Sequence, residues 1–242
     1  MKSNMSIFHK LFKFLFLLHL TTACIAEEKE VATDIKVTVL SLLQLNSNQL
    51  YLQSSFEKGE EEPPPFQRFL VGNTRLPNPK KYEGRLSFNV FDKPSGKLIA
   101  SGKFDQKLKR TILLLLPGID GKVFVKIVSG STDELSGGMR KVYNLSPYEI
   151  RGHYGKIPLK PTADTTRSFI LKPLTTVKVD STTLVKQFES YGVTMEYFLE
   201  DKWKRFISSG WTLDDKVRHH TFLYSTANKQ AVYCKTISEK VK

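Results

Sequence analysis

From residue 35 onward the chain is a near-continuous succession of short apolar runs cut by turn signals. No other feature constrains its fold as much. The runs include "IKVTVLSLLQL", "RLSFNVFD", "LIASGKF", "RTILLLLP", "VFVKIVS", "YEIRGHYG", "TMEYFLED", "KRFISSGW" and "AVYCKTIS". They are rich in Val, Ile, Thr, Phe and Tyr, the residues that suit a pleated, half-buried surface. Between them lie "KPSGK", "PGIDGK", "SGSTDELSGG" and "STANKQ", whose Gly, Pro, Asn and Asp favour turns. Many short strands at regular spacing predict an all-β chain, an antiparallel sandwich or barrel. "TILLLLP" lacks alternation and reads as a central strand buried on both faces. Only "STTLVKQFESYG" (181–192) has the spacing of a short helix, with Leu184, Val185 and Phe188 on one side.

The runs also echo one another. "KLIASGKF" (97–104) matches "RFISSGW" (205–211), with Ser101-Gly102 on Ser209-Gly210. "FNVFD" falls on "EYFLE", and "VFVKIVS" (123–129) on "VYCKTIS" (232–238). "VLSLLQL" falls near "VYNLSPY", and "RFLVG" near "SFILK". The order of elements is kept, which predicts an internal duplication. Two units of this size suit two tandem β-sandwiches, over 35–130 and 138–242, with the boundary in the polar "SGSTDELSGG" (129–138). In both copies the glycine is expected to allow a close approach to a neighbouring strand. The acidic and proline-rich "FEKGEEEPPPFQ" (56–67) cannot join a central ladder and reads as an exposed loop.

Residues 1–26 have the layout of a secretory signal peptide: Lys2, Lys10 and Lys13, then the apolar run Leu11 to Leu20, then small residues. Residues 27–34 would be a short tail. Removing 1–26 takes away three lysines and no acid, so the formal charge falls from +13 to +10. A second reading of "TTAC" is cleavage before Cys24 with lipid on that cysteine, which would be the protein's one route to a membrane. Export to a periplasm or cell envelope argues against nucleic acid. The basic excess then suits solubility, or an anionic polymer or exported protein as partner. With Cys24 gone or lipidated, Cys234 has no partner and reads as a buried core thiol.

The stretch "RKVYNLSPYEIRGHYGKIPLKP" (140–161), together with the later "SSGW" and "RHHTFLY", resembles uncharacterised exported bacterial proteins with immunoglobulin-like β-sandwich domains. The resemblance spans residues 85–238. It implies an immunoglobulin-like form for the two sandwiches and export, and it carries no activity and no functional residues. Read physically, "NLSP" is a turn in which Asn and Ser side chains bond nearby backbone and Pro147 fixes φ.

No catalytic motif is present. His219 and His220 are adjacent in a strand and point to opposite faces, so they do not share an ion, and no cofactor or metal is expected. There is no nucleophile elbow and no phosphate-cradling glycine loop. The acids Asp92, Glu196, Glu200, Asp201, Asp214 and Asp215 leave a glycan hydrolase with loop-borne carboxylates as an alternative. The candidate binding set is aromatic and basic. Trp203, Arg205, Ile207, Ser209 and Trp211 alternate along one strand beside Lys204, and Lys216, Arg218 and His219 lie in the next hairpin arm. Trp203, Arg205, Trp211 and Arg218 are the residues expected to contact a partner, through stacking and cationic contacts. The chain thus reads as an exported, non-enzymatic binding or structural module of the cell envelope. A lipid-anchored assembly factor is the further alternative.

Overall fold

The computed structural model describes residues 31–32, 34–56, 62–94, 96–118, 122–131, 135–160, 164–226 and 231–241. Residues 1–26 with Cys24, most of the 27–34 tail and part of the acidic loop therefore lie outside the described residues. Among the described residues eighteen strands follow one another and there is no helix. The first half carries β1 (Val31–Ala32), β2 (Lys36–Ser41), β3 (Gln49–Ser54), β4 (Gln67–Gly72) and β5 (Lys80–Lys81). It continues with β6 (Gly84–Arg85), β7 (Ser87–Phe91), β8 (Leu98–Lys103), β9 (Arg110–Pro117) and β10 (Val123–Ser129). The second half carries β11 (Arg140–Asn144), β12 (Ile150–Gly155), β13 (Thr166–Leu171) and β14 (Thr176–Val179). It ends with β15 (Ser190–Leu199), β16 (Lys202–Thr212), β17 (Val217–Ser225) and β18 (Val232–Lys240).

The halves share one pairing pattern. In the second, β14-β11-β17-β18 form one sheet and β13-β12-β15-β16 the other. In the first, β5-β2-β9-β10 and β4-β3-β7-β8 pair in the same way, and a short parallel contact of β2 with β4 joins the two layers. β2 runs parallel to β9, and β11 parallel to β17; the other pairs within these four layers are antiparallel. Each half has its own apolar core. One is built on Val37, Leu52, Phe88 and Leu113, the other on Val142, Ile150, Val193 and Met195.

A third core lies between the halves. Leu40, Leu42, Ile112 and Leu114 from β2, its following turn and β9 pack on Tyr143, Phe222 and Ile237 from β11, β17 and β18. This explains the unalternating "TILLLLP". Leu113 and Leu115 fill the first sandwich, while Ile112 and Leu114 fill the junction. A strand buried on both faces needs apolar residues at every position. Backbone bonds add to the junction: Leu76 N–H donates to the Ser238 carbonyl, and Ser238 N–H to that of Thr74. Residues Ala32–Lys242 accordingly form one compact unit.

Three sequence expectations change. Residues 181–189 form turns rather than a helix, and 190–192 already belong to β15. Asp180 accepts from Thr182 N–H at 3.0 Å, an Asx turn that competes with helix start. Phe188 then takes φ 64 and stands 66% exposed, so the apolar side is not continuous. Second, the echo of residues 97–104 and 205–211 is displaced by one residue. Gly102 faces buried Phe88, whereas Gly210 pairs with Gly192 on the open face, where a Cβ would meet nothing within 4 Å. The close approach holds for Gly102 alone, and the position equivalent to it across the ladder is Trp211, opposite Tyr191. Third, "FNVFD" corresponds to residues 191–195 rather than to "EYFLE", because Val90 and Val193 take equivalent places opposite Leu52 and Tyr154.

The "NLSP" turn forms as read: Ser146 N–H and Oγ both donate to Asn144 Oδ1, at 3.1 and 2.7 Å. Beside it, Gly152 pairs with Phe169, whose ring covers the glycine so closely that a Cβ would sit 2.2 Å from it. Gly152→Ala is expected to lower stability by roughly 1–3 kcal/mol through overpacking, as a urea-denaturation midpoint would measure.

Candidate functional site

The four residues expected to form one binding surface occupy three different places. For Trp203, Arg205 and Trp211, all on β16, the cause is a bulge. Along β15 and β16, Trp211 pairs with Tyr191, Ser209 with Val193 and Ile207 with Met195. The register then slips, and Arg205 pairs with Glu196 and Trp203 with Phe198. A bulge adds one residue to one strand, which exchanges its faces beyond that point. Trp211 therefore turns inward with Tyr191, while Trp203 and Arg205 turn outward.

The outward group is cationic and aromatic. The Arg151 guanidinium lies 4.3 Å from the centre of the Trp203 ring, and the Phe198 ring packs 5.2 Å from it. Glu196 accepts from Arg151 Nε at 2.7 Å and faces Arg205 Nε at 3.7 Å. Ile170, 66% exposed, continues the same cross-strand row on β13. Lys204 bonds Glu200 at 3.0 Å in the adjoining turn.

The inward group is different. Trp211 meets Tyr191 edge to face at 6.1 Å, and the Arg140 guanidinium stacks 3.7 Å from its ring centre. Arg140 was not among the expected residues. It opens "RKVYNL" as an ordinary strand-edge cation, and only the register of β11 on β17 turns it inward.

Arg218 joins a third group, at the junction of the halves. Glu239 takes bonds from Arg218 Nε at 2.8 Å, from Arg110 Nη2 on the first half, and from His220 Nε2 at 3.4 Å. Burial alone would raise the Glu239 pKa, but the His220, Arg218 and Arg110 bonds outweigh it and hold the carboxyl well below its usual range. An ionised Glu239 fixes the tautomer of His220: Nε2 carries the proton, and Nδ1 accepts from Tyr143 O–H at 3.0 Å. The Tyr143–His220–Glu239 chain has the order of a catalytic relay. Tyr143 and His220 are buried to 1% and 0% exposure, so no substrate reaches them. It is a structural tie.

Beside this tie opens a cleft of about 1260 Å³ between the Thr74–Pro79 loop and the ends of β17 and β18, with Arg75, Arg218, His219 and Lys240 among its walls. His219 and His220 point to opposite sides, His219 bonding Ser238 Oγ at 3.0 Å. Among the described residues no cluster of three metal-ligating groups occurs. Burial first, then Arg140, pushes the His219 pKa down from 6.5 to about 4. Burial likewise lowers that of His220. Below pH 6.5 the unfolded chain takes up protons that the native histidines refuse, so stability falls as pH drops from about 6.5 to about 4. Loss of the Glu239 contribution follows below pH 4.5. A melting-temperature profile from pH 7 to 4 is expected to descend, and His219→Gln to flatten its upper part.

Two pairs of the candidate loop acids stand far apart. Glu200 and Asp201 form the β15–β16 turn at φ 54 and 59, and Asp214 and Asp215 lie in the turn after β16. An eleven-residue strand separates the two pairs, about 35 Å at the usual rise. Asp214 caps Lys216 N–H, and Asp215 accepts from Gln187. Cys234, expected in the core, is exposed. It lies on the last strand of its sheet, where the sandwich edge is open. Protein on its other sides still desolvates the thiol and raises its pKa, which keeps it neutral.

No protein-family model matches the chain, and no curated protein sequence matches it. Among solved structures, the human-specific toxin intermedilysin is 10% identical with a TM-score of 0.26; the match covers 64% of this chain and 39% of the toxin. A chain from Bacteroides ovatus described as a "putative cell adhesion protein" is 8% identical with a TM-score of 0.28, covering 87% of this chain and 99% of that one. Among its described residues the chain is all-β, in sandwich layers.

Proposed function

We propose that this chain is an exported, non-enzymatic binding or structural module of a cell envelope, and that it contacts an anionic polymer or another exported protein. The observation that carries the reading is the outward patch of Trp203, Arg151 and Arg205 on an open sheet face, with Phe198 and Ile170 beside it. Such a face offers an aromatic platform flanked by guanidinium groups. The signal-like residues 1–26 support export, and the formal charge of +10 that remains without them (13 − 3) supports an anionic partner. We read the halves as two copies of one immunoglobulin-like unit, supported by their common pairing pattern and by the kept order of their sequence echoes. The test is co-sedimentation of the chain from residue 27 with anionic polysaccharide over a salt series. Binding that weakens with salt and is lost in Trp203→Ala and Arg205→Ala supports the reading. Absence of binding to polymer and to any exported protein at low salt removes it.

A further inference from the structure

Arg140 is 4% exposed in the interior of the second sandwich, and no acid pairs with it among the described residues. Its Nη1 donates to Thr221 Oγ1 at 2.9 Å and to Thr236 Oγ1 at 3.2 Å, and its Nε finds no acceptor. The Trp211 ring covers it at 3.7 Å. Guanidinium keeps its charge in proteins. A buried cation without a counter-charge is costly, and hydroxyl groups and an indole face compensate it only in part.

The first half shows that the fold does not require this cluster. Matching the parallel ladders β2/β9 and β11/β17 places Val37 where the second half has Arg140, and Leu113 where it has Thr221. The hairpins β9/β10 and β17/β18 place Val125 and Ile127 at the positions of Cys234 and Thr236. Gly102 stands in the place of Trp211. Val37 and Leu113 are 0% exposed in an apolar core. The same positions thus carry plain apolar packing in one half, and a cation, hydroxyls, a thiol and an indole in the other.

The cluster is also within reach of solvent. Trp211 lies on β16, and Thr236 and Cys234 on β18, which are the last strands of their sheets. Cys234 is exposed, and Trp211 and Thr236 are half-buried. The Trp211 ring lies between the Arg140 guanidinium and this open seam. Both threonine hydroxyls accept from Arg140 and they bond each other at 3.0 Å, which leaves one hydroxyl proton to donate onward. A planar fork with an unused Nε matches a carboxylate, and the indole offers a face to a sugar ring.

We propose that the β16/β18 seam is a binding site for the carboxylate of an acidic sugar, with Arg140 as receptor, Thr221 and Thr236 as positioning hydroxyls and Trp211 as the stacking face. The proposal rests on the reading of the protein as a binder of anionic polymer, and it adds to the Trp203 patch a second, separate contact.

The experiment follows Trp211 fluorescence in a Trp203→Phe background while galacturonate, oligogalacturonate, oligoglutamate or chloride is added at matched ionic strength. A saturable response to the two uronates, about tenfold weaker or more in Arg140→Val, is expected. If Arg140→Val does not fold, a variant with the first half's residues throughout (Arg140→Val, Thr221→Leu, Thr236→Ile, Cys234→Val) serves as the folded control. No response beyond that of chloride overturns the site, as does equal affinity in the Arg140 variants. Saturation by oligoglutamate but not by uronate overturns the sugar assignment. Polymer binding that survives loss of Arg140 and disappears with Trp203→Ala removes this site and leaves the proposed function standing.

Discussion

Glu239→Ala is expected to destabilise the protein by roughly 3–5 kcal/mol, the range for removing one partner of a buried ionic cluster. The side chain is 15% exposed and receives Arg110 from one half and Arg218 and His220 from the other. Its removal leaves two guanidinium groups facing each other with no carboxylate between them. His220 also loses the acceptor for its Nε2 proton, although Tyr143 still holds Nδ1. Glu239→Gln keeps an acceptor and is expected to cost less than Glu239→Ala, yet more than an exposed substitution. Urea denaturation at pH 7 checks the order, and at pH 3 the difference between wild type and Glu239→Gln should narrow. The reason is the sign of the shift: a carboxyl held below its usual range contributes above pH 4.5 and loses that contribution as it protonates. Equal stability of wild type and Glu239→Ala at pH 7 would show that the cluster ties nothing.

Phe222→Ala is expected to cost about 3–5 kcal/mol, the range for a fully buried aromatic. Phe222 is 0% exposed, stacks on Tyr143 at 4.8 Å, and belongs to the junction rather than to either sandwich core. Its effect should therefore differ in kind from that of a substitution inside one half. The wild type is expected to unfold in one transition, because Leu40, Ile112 and Leu114 couple the first half to Tyr143 and Ile237 of the second. Phe222→Ala should broaden or split that transition, whereas Phe88→Ala, within the first core, should lower it. Calorimetry distinguishes the two. A single sharp transition in Phe222→Ala, displaced no further than by a surface substitution, would mean that the junction is not what couples the halves.

The two tryptophans show where sequence reasoning stopped. Alternation along residues 203–211 places Trp203, Arg205, Ile207, Ser209 and Trp211 on one face, and for an unbroken strand that is correct. The bulge opposite Met195 and Glu196 breaks the alternation, and its position depends on the partner strand rather than on local residue types. Arg218 was displaced from the expected surface for a similar reason. Its partner Glu239 is on the next strand, but Arg110, which completes the cluster, is 129 residues away from Glu239. Arg140 gave no local signal at all.

By itself the sequence determined the all-β character, the places of the longer strands though not of β1, β5, β6 and β14, the "NLSP" turn and the double burial of "TILLLLP". These follow from residue type, period and turn chemistry, which act over a few neighbours. Its echoes followed the order of the strands in the two halves, but two of them were out of register with the strand pairing, "FNVFD" and the Ser-Gly pair. Tertiary structure alone decided which face each side chain took beyond the bulge, and it closed the apolar and ionic junction between the halves. It also placed a buried guanidinium where the first half has valine. Those outcomes depend on cross-strand register and on contacts between segments a hundred or more residues apart, as Arg110 and Glu239 are, and a single residue of slip reverses a strand's faces.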